Sequence, residues 1–260
     1  MEGGGFLDCD EPTTVVTSAE IAIDKDVILD GRGNLTVDGN LDHRVFSVPV
    51  GVTALLAGLT VTRGTVRGGG AGILNEGRLF LRSSTVSGNT ALNDGPINPP
   101  TGSGIHNNQG ALTMENTTVS GNTARGGGPG VFSSGGVLTM TNCTVSGNIS
   151  EGAVGVGGIY VAGGMATLTN STISGNTGSD VGGILNSHGT LILNHSTVSG
   201  NTGGVDGLAN DDPTLFNTIP GTLFVMNSLV DGDCIGSIAS AGGNIEPRRH
   251  MWFRSGNRPG

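Results

Sequence analysis

Apolar residues alternate with hydroxyl and amide residues along most of the chain, and the alternation returns in three forms. One form is Thr118-Val119-Ser120, a second is Leu112-Thr113-Met114, and a third is Gly104-Ile105-His106-Asn107. A period of two sends successive side chains to opposite faces of a strand, so each form predicts a short strand with one side turned inward. Gly, Asn and Ser clusters between the forms predict turns. No 3.6-residue period is visible, so helices are not expected.

The three forms recur together. Ser84-Thr85-Val86-Ser87-Gly88-Asn89 comes back almost unchanged at 117–122, 143–148, 171–176 and 196–201, decays at 228–233, and is anticipated at 35–40 and 59–64. Its glycine falls at 39, 64, 88, 121, 147, 175, 200 and 232, in steps of 25, 24, 33, 26, 28, 25 and 32 residues. Such a period means stacked supersecondary units, and three strands in so few residues leave no room for a helix in each. The expectation is an all-β fold, a right-handed parallel β-helix of about eight coils of three short strands, with the hand set by the rule for parallel crossovers.

Stacking the copies predicts three aliphatic core columns. They are Ile73, Ile105, Val131, Ile159, Ile184 and Leu208 in the first strand; Leu56, Leu81, Met114, Met140, Leu168, Leu193 and Val225 in the second; and Val61, Val86, Val119, Val145, Ile173, Val198 and Val230 in the third. Asparagines mark two corners. Asn116, Asn142, Asn170 and Asn227 share a column with Ser83 and His195, and Asn89, Asn122, Asn148, Asn176 and Asn201 form another. Stacked amides can bond to one another and to turn backbones, so both columns are expected to be ladders, and His195 a ladder member rather than a catalyst. The Asn-x-Ser/Thr sequons follow from the repeat. Two Pro-containing insertions, 91–103 and 209–221, interrupt different corners several coils apart.

Composition agrees with an elongated body. Glycine fills 49 of 260 positions, and because the glycines are periodic they indicate a special backbone rather than disorder. Four of the 12 basic residues lie in 248–260, which leaves residues 1–247 with 8 basic against 21 acidic residues, a net −13. Such a body repels nucleic acid and other polyanions at low salt. Of three cysteines, Cys143 stands in a Ser/Thr position of the repeat and reads as a small packed residue. Cys9 and Cys234 flank the stack, roughly seven spacings of about 4.8 Å apart, too far to bridge within one molecule. No apolar run could span a membrane, and residues 1–10 are not a signal peptide, so a mature or excised segment is expected. The domain reading is one β-helix over 1–247, with a lead-in at 1–26, coils at 27–233 and an exit at 234–247, then a basic tail at 248–260 that looks like truncation or vector-derived sequence.

A family resemblance adds to this. Gly3-Gly4-Gly5-Phe6-Leu7-Asp8-Cys9, Asp26-Val27-Ile28-Leu29-Asp30-Gly31, Arg44-Val45-Phe46 and Gly58-Leu59-Thr60-Val61 open the chain; Gly-Gly-Ile-x-Asn and Asn-Ser-Thr-Val-Ser-Gly-Asn build its body. Asp233-Cys234-Ile235-Gly236 and Gly242-Gly243-Asn244-Ile245-Glu246 close it. Together these resemble bacterial right-handed β-helix repeat proteins with a choice of surface anchor, over about residues 3–246. The resemblance implies the fold and an extracellular or cell-surface location, and is silent on activity.

Candidate chemistry begins with an outward column, Leu74, His106, Phe132, Tyr160 and Leu185, beside the first-strand core residues. Two aromatic rings and an imidazole at one-coil spacing predict a platform for sugar rings, with a polysaccharide or cell-surface glycan as partner. A second surface pairs Thr60, Thr85, Thr118, Thr144, Thr172 and Thr197 with Thr62, Ser87, Ser120, Ser146, Ser174 and Ser199. Columns about 6.7 Å apart and rungs about 4.8 Å apart would make a flat hydroxyl lattice resembling an ice-binding face, although serine lacks the methyl that helps order water. The rival class is a carbohydrate-active enzyme, a polysaccharide lyase or glycoside hydrolase, by analogy of fold. Its catalytic candidates are thin: Asp206, Asp211 and Asp212 for paired carboxylates, and arginines that lack a neighbouring Lys or His. The same acids with Asp180 are the one candidate calcium cluster. His188 and His195 lack a third ligand at zinc spacing, so no metal site is assigned. Exposed stack ends add an expectation of end-to-end self-association.

Overall fold

The computed structural model describes residues 10–92, 102–126, 128–151, 155–210 and 221–245. Among them every element is a strand and every strand pairing is parallel, one coil against the next, giving a β-solenoid of about eight turns. The first strands of the coils form a nine-stranded sheet, from Ile21–Ala22 to Cys234–Gly236, here called face one. The second and third strands belong to a single 16-stranded sheet that bends into faces two and three. Each bend falls on a residue in the left-handed region: Ser83, Asn116, Asn142, Asn170, His195 and Asn227 have φ between 46° and 53°. Asparagine tolerates that conformation better than most residues, which is why it recurs there.

The three aliphatic columns lie in register as expected. Val86, Val119, Val145 and Ile173 sit rung on rung, as do Leu81, Met114, Met140 and Leu168, and Ile105, Val131, Ile159 and Ile184. All are fully buried. At roughly 1.5–3 kcal/mol for each aliphatic side chain taken from water, this continuous strip is the main term holding the stack.

A fourth strand joins the expected three. Thr65–Arg67, Thr90–Leu92, Thr123–Ala124 and Ile149–Ser150 form a short parallel sheet, face four. Its strands are two or three residues long, too short for alternation to be recognised in sequence. The last three of them each follow an asparagine drawn into the interior, and the first follows Gly64, whose N–H donates to Asn89 Oδ1 at 2.8 Å. Asn89, Asn122, Asn148, Asn176 and Asn201 make a ladder whose successive Nδ2–Oδ1 bonds are each 2.9 Å. Each Oδ1 from Asn122 onward also accepts the preceding asparagine's backbone N–H at 3.0–3.1 Å, and each Nδ2 donates to a valine or isoleucine carbonyl.

The other asparagine column is different. Its members are exposed, and one amide pair is found there, Asn142 Nδ2 to Asn116 Oδ1 at 3.2 Å. His195, expected as a ladder member, is an exposed left-handed corner with φ 49°. A hydroxyl column takes the ladder's role at that corner: Ser84, Thr117, Ser171, Ser196 and Ser228 are buried and cap the preceding strand's carbonyl two residues back. Cys143 occupies this column, packed as expected, with its thiol 3.3 Å from Thr141 O and raised in pKa by burial.

Candidate functional site

The outward column of face one is in register: Leu74, His106, Phe132, Tyr160 and Leu185 follow one another on adjacent rungs. His106 and Phe132 stack with ring centroids 4.8 Å apart, and Phe132 and Tyr160 meet at a tilt of 31° with centroids 5.1 Å apart. Exposure departs from the expected platform. Phe132 is 7% exposed and Leu185 is 0% exposed, so neither presents a ring or side-chain face to a ligand. The reason lies in the glycine-rich segments that lead into each face-one strand, which curl across its outer side. A Cβ on Gly102 would lie 3.0 Å from that of Phe132, and one on Gly70 3.0 Å from Leu74 Cα. In the later coils Val156, Val181 and Val205 of these segments bridge one another and pack with Leu185 and Ala209 as a second apolar cluster, against which Tyr160 leans.

His106 is the polar member of the column, and burial, with a smaller repulsion from Arg44, lowers its imidazole to about 4. Its Nε2 lies 3.2 Å from Ser134 Oγ, which donates to Asn108 Oδ1 at 3.4 Å; Asn108 Nδ2 then donates to Glu76 Oε1 at 2.9 Å. A serine hydroxyl that donates to Asn108 accepts from the ring, which then carries its proton on Nε2. A group with a pKa near 4 is in any case a weak base at neutral pH. The chain from His106 to Glu76 is therefore a polar link across coils, not a nucleophilic pair.

The other candidates separate. Face three carries the expected Thr and Ser columns in register and half-buried on each rung from Thr60 to Ser199. Arg82 and Glu115 lie on adjacent rungs and pair through Nε at 3.0 Å, and Arg63 pairs with Asp38 at 3.2 Å. Asp206 accepts the N–H of Gly203 at 2.9 Å within its own turn. Burial raises the carboxyl of Asp180, opposed by a backbone hydrogen bond from Gly155. Asp211 and Asp212 lie outside the described residues, and among those described no three His, Cys, Asp or Glu side chains converge on a metal position. His188 and His195 are both exposed left-handed corner residues.

A feature the sequence reading did not single out lies at the corner between faces one and two. A furrow of about 430 Å³ crosses four consecutive coils there, lined by residues 51–53, 76–78, 109–111 and 135–137. The chain matches no family model, no curated protein and no solved structure. The floor of the furrow is backbone, because Gly77, Gly110 and Gly136 stack too closely to carry side chains, and Gly164 continues the column beyond it. A Cβ on Gly136 would lie 2.3 Å from Gly110 O, and one on Gly164 2.1 Å from Gly136 O. One wall presents Glu76 and Gln109, the latter held outward by a left-handed backbone, φ 57°. The other presents Arg78, Ala111 and Val137 in register, continued by Met165. Val137 is 48% and Met165 42% exposed, so beyond Arg78 this wall becomes an apolar ledge. The sequence signal was a glycine two or three residues after the last inward residue of the first strand, at Gly77, Gly110, Gly136, Gly164 and Gly189, but it reads equally as a plain turn.

Proposed function

We propose that this protein is a non-catalytic glycan-binding β-helix of the extracellular or cell-surface kind, with the axial furrow as its binding site. The observation that carries the reading is the furrow's mixed lining over four coils, a wall that passes from Arg78 to the apolar Ala111 and Val137 and faces the planar polar side chains of Glu76 and Gln109 across a backbone floor. Sugar rings offer apolar C–H faces and hydroxyl edges together, and an extended oligosaccharide along the rod can meet both walls at once. Four rungs span roughly 14 Å, the scale of a short oligosaccharide. The aromatic column contributes support beneath the first wall through Asn108 and Ser134 rather than a stacking surface. The resemblance to bacterial choice-of-anchor β-helix proteins supports the surface location.

Binding of the full chain to a panel of neutral and uronate-containing polysaccharides tests this. Gln109→Ala combined with Val137→Asp is expected to weaken retention at least about tenfold while leaving the unfolding midpoint nearly unchanged, since both side chains are exposed. Retention unaffected by the double substitution would remove the furrow from consideration. New reducing ends or an unsaturated sugar product, lost on substituting Asp206, Asp211 or Asp212, would establish the enzyme alternative instead.

A further inference from the structure

Resting on the furrow reading, we infer that the glycan it takes carries sparse carboxylates, one of which is received by Arg78. Arg32, Arg44, Arg63, Arg82 and Arg125 each meet an acidic side chain within 4.0 Å. Arg78 lines the furrow and makes neither an ion pair nor a side-chain hydrogen bond among the described residues. Its nearest acid in sequence, Glu76, is engaged through Oε1 by Asn108 at 2.9 Å and stands across Gly77 on the opposite wall. In a body this acidic, a guanidinium left without a carboxylate is the one unneutralised positive group the furrow offers. Its planar fork matches a sugar carboxylate through two parallel hydrogen bonds.

The surrounding charge then sets the spacing of carboxylates along the ligand. Residues 1–247 carry a net −13, and a densely ionised polymer lying along the rod would be repelled over its whole length. An isolated carboxylate on a neutral backbone meets Arg78 at contact distance, while repulsion from more distant acids is screened beyond about 8 Å at physiological salt. Adjacent sugars on the ligand meet Gln109, Ala111 and Val137, which are uncharged, and the Glu76 carboxylate across the furrow disfavours a second acid beside the one received by Arg78. The ligand class is thus a mainly neutral, extended polysaccharide with occasional uronate units.

The test compares three polymers against the full chain at about 0.15 M salt: glucuronoxylan, the same glucuronoxylan after chemical reduction of its carboxyl groups, and polygalacturonate. Glucuronoxylan is expected to bind at least about tenfold more tightly than its reduced form, and polygalacturonate more weakly than glucuronoxylan. Arg78→Gln should abolish the difference between the first two, and Arg78→Lys should keep part of it, because the charge remains and the fork is lost. Arg78 is exposed, so both variants are expected to unfold at the parent's midpoint. Equal affinity for the two xylans, or a preference unchanged in Arg78→Gln, overturns the carboxylate inference and leaves the furrow reading standing. Binding to none of the three overturns both.

Discussion

Asn116 and Asn122 stand six residues apart in one coil and serve the backbone in opposite ways. Asn116 is exposed and is used for its tolerance of φ 49°; Asn122 is fully buried and is used for its amide. Both recurrences were visible in the sequence, but which of them is a ladder was not, because burial depends on which way the chain bends at each corner. Removing Asn148 would strip the acceptor from both the backbone N–H and the Nδ2 of Asn122, leaving two buried donors without it. Asn148→Ala is therefore expected to cost about 3 kcal/mol, whereas Asn116→Gly, which leaves a left-handed corner to the residue best suited to it, should stay within about 0.5 kcal/mol. Urea unfolding midpoints compare the two directly, and similar losses would mean the two columns are equivalent after all. A related defect occurs on face one, where Asn75–Asn107 and Asn186–Asn210 form amide pairs at 2.7 Å but Val161 interrupts the column. The Oδ1 of Asn186 accordingly has no donor, a buried polar atom left open by a single aliphatic substitution in the repeat.

Between neighbouring strands, register was readable and exposure was not. Alternation of period two placed His106, Phe132 and Tyr160 on one outward column, and adjacent rungs brought their rings together as expected. The column's cover comes from glycine-rich segments whose one recurring apolar position, Val156, Val181 and Val205, is confined to the later coils, and whose path over the strands no local rule supplies. One consequence is an acid-sensitive stack. The His106 imidazole lies at about 4 in the folded protein against 6.5 unperturbed, mainly through burial. As pH falls through 6.5 the unfolded chain takes up a proton that the folded chain refuses until about 4, so stability drops across that window and is unaffected by this group above it. The full difference is on the order of 3 kcal/mol. His106→Phe keeps the ring stack and removes the titration. It is expected to lose less stability than the parent between pH 7 and 4, by about that amount, in parallel urea titrations. Parallel curves for the two proteins would show that the imidazole is reached by water.

Along the whole rod, each coil touches its neighbours alone, so stability is a sum of coil and interface terms that must run out at the ends. The first strand, Thr13–Val16, pairs on one side with Val27–Asp38, and no described strand pairs with its other edge. Val15 lies in the column of Val37 and Val61 yet is exposed, and Val16 is 58% exposed. At the far end Ile245 bridges Leu229 and begins to cover the last coil, so the two ends are unlike. A repeat sequence shows where coils stack, because the stacking is what repeats; it says little about ends, which occur once. Hydrogen exchange should be slowest at Val119, Val145 and Ile173, which have coils on both sides, and fastest at Thr13–Val16. An edge to which no described strand pairs is also a template for pairing with another copy. Sedimentation of the full chain is expected to show association that grows with concentration, and Val16→Lys to suppress it by placing a charge on the edge strand. A parent that sediments as one species at every concentration, together with slow exchange at Thr13–Val16, would mean that the edge is covered within the molecule, and the rod would then end where its first strand does.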